Sequence, residues 1–163
     1  MKNTKRYFSI HTILLLFFLF SAFNPAYAEP SWIADQKTGC QIRNPRPIPD
    51  ESVSWEGACK DGKADGPGIL RWYAKGKLFL TLKGVMEEGQ CQRNCTVTTA
   101  AGYNYVGDLQ DNRPNGSGTM NYPDGTRYSG GWENGKKHGK GIFTAEDGSS
   151  HEEQWEHGRK VSP

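Results

Sequence analysis

Tyr105 and Tyr128 stand 23 residues apart, and the glycines and rings that follow each of them recur at that interval. After Tyr105 come Gly107, Leu109, Asn112, Gly116, Gly118, Tyr122, Asp124 and Gly125. After Tyr128 come Gly130, Trp132, Gly135, Gly139, Gly141, Phe143, Asp147 and Gly148. A period of this size marks one supersecondary unit used repeatedly, each unit too small to bury its own apolar face without its neighbours. A truncated copy begins at His151 and keeps Trp155 and Gly158. Towards the N-terminus, a degenerate copy begins at Leu82, with Gly84, Met86, Gly89 and Gly102 in register. A clearer one begins at Trp55, with Gly57, Cys59, Gly62, Gly66, Gly68 and Trp72. Trp55 and Leu82 are 27 residues apart, so about four extra residues are expected within Ala74 to Phe79.

The residue types within one period describe a hairpin. Strand side chains alternate, so Tyr128, Gly130 and Trp132 share one face, two rings flanking a bare glycine against which a ring of the next hairpin is expected to lie. Glu133-Asn134-Gly135-Lys136 reads as the chain reversal, because Asn-Gly accepts the positive φ angles of a tight hairpin turn. Gly139-Lys140-Gly141 is expected to lead in the second strand, and Asp147-Gly148 to end it with another turn. The expected fold is all-β: an elongated single-layer ribbon of stacked antiparallel β-hairpins. Composition agrees. Only 35% of the residues are hydrophobic, while 20 are glycine and 12% aromatic, which suits rings packed over small residues better than a deep aliphatic core.

The pattern resembles the MORN repeat family. Tyr128 to Gly148, YSGGWENGKKHGKGIFTAEDG, is similar to that family's consensus almost position by position. Tyr105 to Gly125 is also similar, with Leu109 at the usual Trp position and Asn115 at the usual His position. Trp55 to Trp72 resembles a third copy, with Asp65-Gly66-Pro67-Gly68 at its second turn. Leu82 to Gly102 departs from the pattern, because Arg93 and Cys95 occupy two glycine positions. The resemblance implies an array of hairpins over residues 55–163. It is uninformative about function, since the repeat is shared by proteins of many roles.

Residues 1–28 read as a cleaved secretory signal. Lys2, Lys5 and Arg6 precede the apolar run Ile13 to Phe20, and Ala26-Tyr27-Ala28 is a small-x-small site, which places the cut between Ala28 and Glu29. The apolar run is shorter than the roughly 20 residues that span a bilayer, so no transmembrane segment is expected in the mature chain. Its compact form is of the bacterial type, which makes the sequons at Asn94 and Asn115 chance matches. Removing the leader removes three of the 20 Lys and Arg residues and none of the 18 Asp and Glu, leaving a net charge of −1 and disfavouring a nucleic-acid partner. Residues 29–54, with the run Pro45-Arg46-Pro47-Ile48-Pro49, are unsuited to a central strand or a long helix and read as an extended cap on the first repeat.

Cys40, Cys59, Cys91 and Cys95 all fall in the exported part, and an even count in an oxidising compartment reads as disulfides rather than metal ligands. Cys59 occupies an inward-facing Trp position beside the cap, and Cys91 and Cys95 straddle one turn. Of the three pairings, this placement favours Cys40–Cys59 with Cys91–Cys95.

No nucleophile motif such as G-x-S-x-G is present, so the chain is expected not to be an enzyme, and no cofactor or metal is called for. His138 and His151 stand at repeat positions of the hairpin, and with His157 they need no metal to explain them. Glu87-Glu88 and Glu152-Glu153 read as solvated edges. Lys136, Lys137 and Lys140 cluster at one turn and Arg159 with Lys160 at the next, so stacking is expected to align a small basic edge. A flat glycine-rich ribbon is expected to lack a concave apolar pocket. These features point to an interaction module or small scaffold of the periplasm or secreted space, with another protein as partner. The alternative is a binder of anionic ligands or phospholipid headgroups through that edge, if it forms one unbroken positive strip.

Overall fold

The computed structural model describes residues 31–161, so the expected leader, the expected cut after Ala28 and the start of the expected cap lie outside the described residues. The described chain is all-β and forms one sheet of 13 strands. A first hairpin pairs β1 (Ser31–Ala34) with β2 (Gln41–Asn44). The repeats follow as antiparallel hairpins: β3 (Glu51–Lys60) with β4 (Lys63–Ala74), then β5 (Lys77–Glu87) with the short β6 (Gln90–Cys91) and β7 (Cys95–Thr99). Next come β8 (Asn104–Gln110) with β9 (Arg113–Asn121), β10 (Arg127–Glu133) with β11 (Lys136–Thr144), and β12 (Ser150–Glu156) with β13 (Arg159–Val161). Among the described residues no helix is long and apolar enough to cross a membrane.

The turns carry the period. The pairs Glu88-Gly89, Asp111-Asn112, Asn134-Gly135 and His157-Gly158 each join two strands with positive φ at both residues, as a two-residue hairpin loop requires. At Asn134 and Gly135 φ is 51° and 79°. Successive hairpins are tied at these turns by the backbone: Gly135 N–H donates to Pro114 O at 2.8 Å and Gly158 N–H to Lys137 O at 2.9 Å. Each bond contributes about 1 kcal/mol and fixes how far one hairpin slides on the next.

Three local expectations are corrected by the strands. The first repeat strand begins at Glu51, ahead of Trp55, so the end of the proline-rich stretch pairs with β4 rather than lying over it. The Gly-x-Gly pairs sit inside second strands instead of leading into them. Gly139, at φ 71°, is in β11, and the register between β10 and β11 shifts between Gly130 and Trp132, so the glycine serves a bulge. Asp65 to Gly68 is likewise within β4, not at a turn. The longer interval between the first two copies corresponds to long β4 and β5 strands joined at Lys75-Gly76.

The core is a row of rings on one face. Tyr128, fully buried, folds its ring over Gly130 and Gly141, which pair across its own hairpin. Tyr105 covers Gly107 and Gly118 in the same way, and Trp55 covers Gly57 and Gly68. The glycine gap is thus filled from within the hairpin, not by the neighbour as the alternation pattern implied. Contact between hairpins falls to the Trp column. Trp132 meets Tyr105 and Tyr128 edge-on, at 5.6 and 5.4 Å between centroids, and Tyr128 meets Trp155 at 6.2 Å. Such edge-to-face pairs add roughly 0.5–1.5 kcal/mol each to area burial.

The degenerate copy solves the same problem differently. Leu82 stands in the ring position and Cys95 in that of Gly118, and the Cys91 sulfur lies where a side chain on Gly84 would go. A disulfide joins Cys91 to Cys95 across 6.1 Å of Cα separation and occupies the seat that a ring fills elsewhere. Cys40 is bonded to Cys59, with Cα atoms 5.8 Å apart, so both expected pairs form. Cys59 is exposed, however, and Cys40 is the buried partner.

The β1–β2 hairpin is fastened to the edge where the first turns lie. Gln41 N–H donates to Gly62 O at 2.8 Å, Arg43 N–H to Gly89 O at 3.0 Å, and Asn112 Nδ2 to Arg43 O at 3.0 Å. The buried Asp35 carboxylate accepts from Lys37 N–H, the Thr38 hydroxyl and Trp55 N–H. Burial pushes its pKa up, but these donors together outweigh burial and hold it below the usual value.

Candidate functional site

The Pro45–Pro49 connection between β2 and β3 stands over the sheet and encloses a groove of about 360 Å³. Its floor is aliphatic, from Leu70 on β4, Leu80 and Leu82 on β5 and Val97 on β7, and Phe79, half exposed, stands at its margin. The wall is held by one carboxylate. Glu51 accepts from Asn44 Nδ2, from Ile48 N–H at 3.1 Å and from Trp72 Nε1 at 2.9 Å, so one carboxylate ties the proline segment, through Ile48, to the end of β2 and to the ring face. The expectation that a glycine-rich ribbon has no concave apolar pocket is therefore corrected. The sheet alone is shallow, and depth comes from the segment bound over it. Arg46 lies on the rim, its pKa lowered first by partial burial and then by the like charge of Arg113.

The five basic residues at the far turns separate into two sets. Directly opposed residues of an antiparallel pair share a face, and Lys137 is opposite Trp132 while Lys160 is opposite Trp155. Lys137 accordingly turns onto the rings, its Nζ 4.4 Å from the centroid of Trp155, 4.5 Å from Tyr128, 5.4 Å from Tyr122 and 5.7 Å from Phe143. Burial lowers its pKa, opposed by Glu153 and assisted by Lys160. Lys136 and Arg159 neighbour these residues in sequence and so point to the other side, and Lys140 is exposed. The five turn cations therefore do not all lie on one face.

Glu153 lies beside the two ring-face cations. It occupies the glycine column of the truncated copy, and instead of a solvated edge it is buried, accepting from Lys160 Nζ at 3.0 Å and Trp155 Nε1 at 2.9 Å, with His151 Nε2 3.1 Å away. Burial raises its pKa, and these partners more than compensate, so it is held below the usual carboxylate value. Lys137, Glu153 and Lys160 thus form a polar cluster beside the ring of Trp155.

His138 and His157, which sequence alone leaves unrelated, are brought together with Glu133. Glu133 Oε2 lies 2.8 Å from His157 Nδ1 and 3.5 Å from His138 Nδ1. The signal for this cluster was the column comparison: one period earlier the same positions hold Gln110, Asn115 and Asn134.

Matches to the family described as MORN repeat cover residues 55–76, 105–127 and 128–150. The Leu82 copy, whose glycine columns hold Arg93 and Cys95, falls between the first and second of these matches. No curated protein matches the chain in sequence.

Proposed function

We propose that this chain, which is a MORN-repeat protein, is an exported, non-enzymatic interaction module, and that its groove receives an apolar segment of another protein of the envelope or secreted space. The observation that carries this reading is the groove of about 360 Å³ over Leu70, Leu80, Leu82 and Val97, with Phe79 half exposed beside it. An apolar surface held open by an anchored wall gains free energy when a partner covers it, at about 25 cal/mol per Å². Arg46 on the rim favours a carboxylate flanking the apolar segment. Two disulfides among the described residues support an oxidising compartment, and with it the leader read in residues 1–28.

The anionic-ligand alternative finds less support. Lys137 and Lys160 are engaged with rings and with Glu153, which leaves Lys136, Lys140 and Arg159 as the exposed cations of these turns.

The test is affinity capture from an envelope extract with three baits: the unmodified protein, Phe79→Asp, and Lys136→Glu/Arg159→Glu. A partner held by the first and third and released by Phe79→Asp supports the groove. A partner released by the charge reversals and kept by Phe79→Asp would transfer the function to the basic edge.

A further inference from the structure

Glu133 ends β10, His138 lies in β11 just past the turn, and His157 sits in the turn between β12 and β13, so the three come from two consecutive hairpins. One ligand atom from each lies within 4.8 Å of the others, and the two imidazole rings are 5.0 Å apart. A tetrahedral ion with bonds of 2.0–2.1 Å needs its donors roughly 3.3 Å apart. The separations of 2.8 and 3.5 Å from Glu133 Oε2 to the two Nδ1 atoms bracket that spacing.

The preceding repeat is an internal control. There, Asn134 N–H donates to Asn115 Oδ1 at 3.1 Å, and in the last repeat His157 N–H donates to His138 Nδ1 at 3.4 Å. The scaffold therefore needs only an acceptor at that column, and asparagine supplies it. Nothing in the hairpin's construction requires a carboxylate in the column of Gln110 or an imidazole in that of Asn134. Relative to the preceding repeat all three columns carry metal-ligating side chains in place of amides; His138 stands at the usual histidine position of the repeat, and the imidazole of His157 is what completes the trio.

We propose that Glu133, His138 and His157 bind a divalent transition-metal ion of the zinc type, which clasps the β10–β11 hairpin to the β12–β13 hairpin. Two imidazoles with one carboxylate suit zinc, nickel or copper, whereas calcium and magnesium prefer all-oxygen shells. The residues are partly exposed, so water completes the coordination and the ion enters directly from solvent. His138 exchanges its long hydrogen bond from His157 N–H for the metal bond. The site shares no residue with the groove and stands independently of it.

The experiment titrates zinc sulfate into the full, disulfide-bonded chain by calorimetry, alongside Glu133→Gln/His138→Asn/His157→Asn, a variant that rebuilds the columns of the preceding repeat. Thermal unfolding of both proteins is followed with and without zinc. The expected result is one zinc per chain, binding weakened about tenfold or more in the variant. The melting temperatures should match without zinc, and zinc should raise only that of the unmodified protein. Absence of zinc binding by the unmodified protein up to about 1 mM, or equal binding by the variant, would overturn the site and leave the cluster as two imidazole–carboxylate ion pairs.

Discussion

The ring of Tyr128 fills the space that a side chain at Gly141 would need: a Cβ placed there would overlap Cε2, Cζ and Oη of the ring. Gly141 pairs with Gly130, so one ring covers two glycines that face each other across a hairpin. The relationship recurs for Tyr105 with Gly118 and for Trp55 with Gly68. It explains the paired strand glycines: at each of these six the missing side chain is the seat of a ring, and the packing lost at the glycine is recovered at the aromatic.

Where the ring is missing, a disulfide takes the seat, and the two disulfides are expected to differ in what they supply. Loop closure assigns about 3 kcal/mol to Cys40–Cys59 and about 2 kcal/mol to Cys91–Cys95, whose loop is shorter. Cys91→Ala/Cys95→Ala also empties the space beside Gly84, which adds a packing loss. Urea unfolding of the two double variants should therefore show comparable losses. A Cys91→Ala/Cys95→Ala protein as stable as the parent would show that the seat is not filled by the sulfurs.

Adjacent lysines should behave differently. Lys136→Glu alters an exposed position and is expected to change stability by about 0.5 kcal/mol or less. Lys137→Glu removes a cation from four ring faces and places a carboxylate beside the buried Glu153, at an expected cost of about 1–3 kcal/mol. Melting temperatures of the two variants, measured side by side, check the split of the basic cluster.

Asp35 and Glu153 make stability depend on acid. Both are held below their unfolded values of 3.8 and 4.5, so the stability they contribute is complete above those values and lost as pH falls through the lower folded ones. Asp35→Asn and Glu153→Gln should be less stable than the parent at neutral pH. Their difference from it should shrink as pH falls below about 4, which unfolding curves across that range would measure.

The period, the hairpin and the turn residues were legible because glycine and asparagine are spaced by backbone need, and the cysteine pairing followed from the same columns. Strand alternation gives the face on which Tyr128 lies but not the direction in which its ring folds, which is why its seat was assigned to the neighbouring hairpin. Alternation also sets Lys136 and Lys137 on opposite faces, a consequence that grouping them by turn concealed. The groove depends on Glu51 binding Asn44, Ile48 and Trp72, contacts between segments that no local pattern announces. Glu153 was hidden because it stands in a glycine column of a truncated copy, where its burial comes from Trp155 and Lys160 rather than from the repeat.

The most direct test of ring-over-glycine packing is a double-mutant cycle on Tyr128 and Gly141, read by urea unfolding. Gly141→Ala alone forces the ring from its seat and should cost about 2–3 kcal/mol, and Tyr128→Ala should cost about 3–5 kcal/mol. With the ring gone, the added methyl has room, so Gly141→Ala should cost less than about 0.5 kcal/mol in the Tyr128→Ala background, a coupling near 2 kcal/mol. Costs that simply add would mean that the ring and the glycine do not share that space, and the packing account of the repeat would be wrong.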